Sequence, residues 1–143
     1  MSNPIKAKIT IRLDAISHEN SSAENITDIL KHLPTPDYYY LLGETRILSD
    51  NRVFHKPNEN TIINFKSQYE VFDIEEANIQ FKKHWLKYTN NIKLISKEYT
   101  FKFQLNYEIV VFNLNYPSLI FNPAFLKFIA DLNFELSFYF YND

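Results

Sequence analysis

Residues Ile5 to Ile16 read IKAKITIRLDAI. Ile5, Ala7, Ile9, Ile11, Leu13 and Ala15 fall in one row, and Lys6, Lys8, Thr10, Arg12 and Asp14 in the other. A period of two is the geometry of a strand, whose successive side chains point to opposite faces. The polar row implies a sheet covered on one side only, which favours antiparallel pairing.

Working outward, NSSAENITDILKHLPTP follows. Ser21 and Glu24 fit a capping box, Ile26, Ile29, Leu30 and Leu33 form a helical stripe, and Pro34 and Pro36 end it. Tyr38 to Leu42 reads as a strand that leads through Gly43 into a polar hairpin or loop reaching Asn60. Both rows of this strand are apolar-bodied, so one tyrosine row must reach the far side of the sheet. TIINFK, Thr61 to Lys66, is a second short strand.

From Asp73 the spacing of Ile74, Ala77, Phe81, Trp85, Tyr88, Ile92 and Ile95 predicts the longest helix, with a break or bend at Asn90 and Asn91. Its acids come first and Lys82, Lys83 and Lys87 later, which complements the helix dipole. Thr100 to Leu114 is a long strand with Phe101, Phe103, Leu105, Tyr107 and Ile109 facing the core. At Val110 to Phe112 both rows turn apolar, which predicts a bulge or full burial. Asn122 and Pro123 then suit an N-cap and first turn, AFLKFIADL a helix, and Asn133 a left-handed C-terminal position. The closing strand FELSFYFY is expected to turn Phe134, Leu136, Phe138 and Phe140 inward.

The order is therefore β-α-β-β-α-β-α-β. It predicts a single α+β domain over 1–143, an antiparallel sheet with helices packed on one face, with the ferredoxin-like arrangement as nearest template. LPTP after the first helix, Gly43 with Glu44, NRVFHK, and the tail NYPSLIFNPAFLKFIADLNFELSFYFY together resemble the bacterial domain-of-unknown-function family numbered 4279. The resemblance spans nearly the whole chain, although Asn51 and Asn133 stand where the family often has glycine. It implies an α+β fold and a bacterial source, and no reaction.

Composition narrows the function. The chain has 143 residues and no cysteine, which removes disulfides, thiolate metal sites and cysteine nucleophiles. No apolar run approaches the roughly 18–20 residues of a membrane span, and the lysine-interrupted start does not read as a secretory signal. A cytoplasmic protein with no membrane partner is expected. The net charge of -2 argues against nucleic acid. The open sheet face, with Lys6, Lys8, Thr10, Arg12, Lys102, Gln104, Asn106, Glu135, Tyr139 and Tyr141, lacks the glycine-and-aromatic signature of RNA-recognition modules and reads as solvated.

A lone glycine excludes phosphate-cradling loops. His18, His32, His55 and His84 share no metal-ligand spacing, so neither metal nor cofactor is expected. Glu44, Arg46, Asp50, Arg52 and His55 could supply acid, base and anion clamp within one loop, but no nucleophile or metal motif accompanies them.

Between Lys66 and Lys82 lie four acids and no basic residue, Glu70, Asp73, Glu75 and Glu76. They either stabilise a helix start or present an acidic face to a basic partner. The leading expectation is a non-enzymatic immunity protein that neutralises a cognate bacterial toxin by direct binding. Tyr39, Glu44, Asp50, Arg52, Glu70, Asp73, Glu75 and Glu76 are its contact residues. A small-molecule sensor with its ligand at the Gly43–Lys56 loop is the alternative, and an enzyme using that loop the third reading.

Overall fold

The alternating stretch forms β1 (Ala7–Ser17), the middle strand of a five-stranded sheet. The structure, a computed structural model, describes residues 7–18, 23–47, 52–71, 73–114 and 116–142. Along the chain follow α1 (Ala23–Leu30), β2 (Tyr38–Tyr40), β3 (Thr45–Ile47), β4 (Val53–Pro57) and β5 (Thr61–Val71). Next come α2 (Ile74–Trp85), a 3-10 turn (Leu86–Tyr88), α3 (Thr89–Glu98), β6 (Lys102–Val111), α4 (Pro123–Asp131) and β7 (Glu135–Asn142). The predicted α+β class holds. The capping box at Ser21 lies outside the described residues.

The sheet order is β2-β5-β1-β6-β7. β1 pairs antiparallel with β5 and with β6 along nearly its whole length, and β2 antiparallel with β5. β6 and β7 run parallel, from Gln104 opposite Glu135 to Val111 opposite Asn142. The sheet is therefore mixed, which corrects the antiparallel expectation and departs from the ferredoxin-like template. The cause is α4: it carries the chain back along the sheet after β6, and a crossover of this kind sets the next strand parallel.

The polar stretch after Gly43 forms the hairpin that the sequence reading allowed, β3 with β4, outside the five-stranded sheet. Two further boundaries differ from the sequence reading. β5 continues past Lys66 to Val71, because Tyr69 and Val71 keep the core-side row going through the polar residues. The long helix divides at Leu86–Tyr88, just before the expected break at Asn90 and Asn91, which lie in the first turn of α3. Near Val110 no bulge forms, and the β6–β7 register runs unbroken to Val111.

The caps read from sequence are present. Asn122 Oδ1 accepts a hydrogen bond from the Ala124 amide at 2.7 Å, with Pro123 in the first turn. Asn133 has φ 57, the left-handed conformation asparagine tolerates best after glycine.

The helices bury one face of the sheet. Ile9, Ile11, Leu13 and Ala15 of β1 join Ile63 and Phe65 of β5, Phe103, Leu105, Tyr107 and Ile109 of β6 and the stripe Ile74, Ala77, Phe81 and Trp85 in one core cluster. β7 is the exception. Leu136, Phe138 and Phe140 share the side of Leu105, Tyr107 and Ile109 by register, as expected. They are nevertheless 38%, 39% and 44% exposed, so the row faces the core side without being buried there. The row points the right way, but β7 is the sheet edge and the helical layer does not extend over it.

Candidate functional site

The expected contact residues separate to opposite ends of the sheet. Glu70 closes β5 and lies opposite Lys8 of β1 on the open face. Asp73 is the N-cap of α2, its Oδ1 accepting from the Glu76 amide at 2.9 Å. Glu75 and Glu76 occupy the first turn, where the free amides and dipole of the helix favour negative charge. Part of this acidic cluster thus serves the helix start, as the plainer reading expected. Glu76 and Glu70 remain exposed.

At the other end, Tyr39 is exposed on the outer strand β2, while Tyr38 and Tyr40 lie half-buried on the open face with ring centroids 5.1 Å apart. Glu44 is exposed beside Gly43, whose φ of 84 explains the glycine. The turn is pinned by Gly43 N to Asn58 O at 2.9 Å and Asn58 N to Glu44 O at 2.9 Å. Arg52 is exposed just before β4. Since Thr45 pairs with Pro57 and Ile47 with Val53, Glu44 and Arg52 sit at opposite ends of the hairpin. Asp50 lies outside the described residues. Among those described, no three of His, Cys, Asp and Glu cluster as metal ligands would.

Around the acidic end the structure adds residues that sequence reasoning missed. The segment 116–121 runs past the start of α2, tied to it by the Ile74 amide donating to Ser118 O at 3.2 Å and by a bridge between Asp73 and Ser118. It presents Tyr116, Leu119 and Ile120 to solvent, Ile120 at 68% exposure. Directly after it, α4 packs against α2 and leaves a groove of about 140 Å³, lined by Glu75, Asn78, Ile79, Lys82, Asn122 and Phe125 among others.

Asn78 is buried at this groove. Its Oδ1 accepts from the Tyr107 hydroxyl at 2.5 Å, and its Nδ2 is buried without a partner. Burial first, and the nearby Tyr69 second, push the Tyr107 hydroxyl far above the usual tyrosine range, so it stays a neutral donor. A signal for this surface did exist in the sequence. Ile79 breaks the stripe Ile74, Ala77, Phe81, Trp85, and Leu119-Ile120 is an apolar pair in a segment without periodicity.

The open face also differs from a simply solvated one. Asp14 is buried at its centre, accepting from Asn64 Nδ2 at 2.5 Å, Asn106 Nδ2 at 2.8 Å and Arg12 Nε at 3.0 Å. Arg12 Nη1 also reaches Glu108 Oε1 at 2.6 Å, and Ser137 Oγ donates to Asn106 Oδ1. Burial opposes the Arg12 charge, but Asp14 and Glu108 outweigh it and hold the guanidinium above its usual range. This network fixes β1, β5, β6 and β7 to one another, so its side chains are committed within the sheet.

No helix among the described residues is long and apolar enough to cross a membrane. Comparison with protein-family models, with curated proteins and with solved structures gives no match.

Proposed function

We propose that this chain is a non-enzymatic binding protein of the immunity type, which neutralises a cognate bacterial toxin by direct association. The carrying observation is the coincidence, at one end of the molecule, of exposed Ile79, Tyr116, Leu119 and Ile120 with Glu70, Glu75 and Glu76. Apolar anchors inside a charged rim are the anatomy of a protein interface. The groove between α2 and α4 is of a size to take one side chain of the partner.

The partner class follows from charge. The rim acids attract a basic surface, such as the active-site cleft of a nuclease toxin, and speed encounter with it. Tyr39 and Glu44, at the far end, are outside this surface. Arg52 belongs to the far hairpin and is outside it as well.

Co-expression with the product of the adjacent gene tests the reading. Growth protection and a complex isolable by affinity capture are expected. Ile120→Asp and Glu76→Lys are each expected to weaken that complex at least tenfold, with the glutamate effect shrinking in high salt. No protection and no complex would sink the proposal.

A further inference from the structure

We infer that β7 is the interface of a homodimer, in which two copies of this chain join their β7 edges antiparallel into one ten-stranded sheet. Among the described residues β7 has β6 on one side only, and no described strand pairs with its other side. Sheet edges are ordinarily protected by lysine, proline, bulges or a short strand. Residues 136–142, LSFYFYN, carry no charge and no proline, and the eight-residue strand pairs with β6 without a register shift.

The occupant is a second copy because the strand complements itself. In an antiparallel pair, residues directly opposite point to the same face. β7 against β7 therefore sets Leu136, Phe138 and Phe140 against the same apolar row on the helix side. On the open face, Ser137, Tyr139 and Tyr141 meet their own kind, and no like charges are forced together between 136 and 142.

The area is also of the right size. Leu136, Phe138, Tyr139, Phe140 and Tyr141 are between 38% and 51% exposed. Side chains of this size present roughly 200 Å² each, which leaves roughly 900 Å² of uncovered apolar surface over two copies. The paired backbones and Asn142 add to this, reaching the ~1,200 Å² of a small specific interface. Tyr116 packs on Phe140 with ring centroids 6.4 Å apart, so the paired strands adjoin the surface assigned to the toxin.

Sedimentation of the purified full chain over a range of concentrations is expected to show a monomer–dimer equilibrium. Tyr139→Lys and Phe140→Lys are each expected to raise the dimer Kd at least tenfold with the monomer's circular dichroism unchanged. Hydrogen exchange on the unmodified chain gives a readout that needs no variant: amides within 135–142 slow as concentration rises. A monomer at every concentration overturns the inference, as does a dimer that survives both lysines. Concentration-dependent slowing confined to 116–120 also overturns it, since the contact would then use the surface assigned to the toxin.

Discussion

β1 and β7 each carry an apolar row at a period of two and meet opposite surroundings. β1 lies between β5 and β6, and Ile9, Ile11, Leu13 and Ala15 are all fully buried. Among the described residues β7 has one neighbour, and its apolar row stays about two-fifths exposed. Period-two patterning sets which side of the sheet a residue faces. Whether anything covers that side depends on strand order, which patterning does not contain.

The sharpest test of that difference is a matched pair of truncations. Leu13→Ala opens a cavity where surrounding strands and helices cannot collapse, and is expected to cost ~2–5 kcal/mol in urea unfolding. Phe138→Ala removes a larger side chain, yet one stacked on Tyr107 at 5.1 Å and partly wetted, so less than ~2 kcal/mol is expected. Equal costs at low protein concentration would mean that β7 is as enclosed as β1. A Phe138 cost that grows with concentration would be the mark of β7 pairing.

This contrast also measures what was legible. The strands, the Asn122 and Asn133 caps, the acidic helix start and the core row of β6 follow from local patterns, because each depends on neighbours a few residues away. The parallel β6–β7 pairing and the bare edge depend on where α4 returns the chain, a non-local outcome. The site divides in the same way. Glu75 and Glu76 are visible as a charge run, whereas the place of Ile120 follows from 116–121 docking on the start of α2 through Ser118, and the groove from α4 packing on α2. Tyr39, Glu44 and Arg52 read in sequence as equal candidates because linear distance hides that they occupy the opposite end.

A second prediction uses Tyr107, the residue that links the covered and uncovered regions. It is buried in β6, stacked on Phe138 of β7, and donates to Asn78. Its hydroxyl is held neutral above the range where unfolded tyrosine ionises, about pH 10. Above that pH the unfolded chain releases a proton that the folded one retains, so stability falls as pH rises. The contribution is complete below about pH 10 and is lost progressively above it. Tyr69 is raised in the same direction by burial, partly opposed by a hydrogen bond with Ser67, and deepens the decline. Tyr107→Phe is expected to cost ~1–3 kcal/mol at neutral pH, because it strips the Asn78 amide of its partner. The same variant should show a shallower alkaline decline in urea midpoints. Parallel curves for the two proteins between about pH 8 and pH 11 would contradict the assigned burial.

The smallest expected effect compares the turns that lead into two adjacent strands. Thr100 precedes β6 with φ 56, and Asn133 precedes β7 with φ 57. The conformations are alike, but the residues are not. Asparagine visits the left-handed region at little cost, whereas a β-branched side chain there crowds the backbone. The Thr100 hydroxyl donates to the Tyr99 carbonyl at 2.7 Å, which recovers part of that cost. Thr100→Gly relieves ~1–2 kcal/mol of crowding and gives up ~0.5–1 kcal/mol through greater freedom of the unfolded chain. A net gain of ~0.5–1 kcal/mol is therefore expected at Thr100, and a change within a few tenths at Asn133→Gly. Thermal midpoints of the two variants decide it: a rise at position 100 alone fits a strained turn at the start of β6. Matching shifts at both positions would show that the threonine is no worse placed than the asparagine.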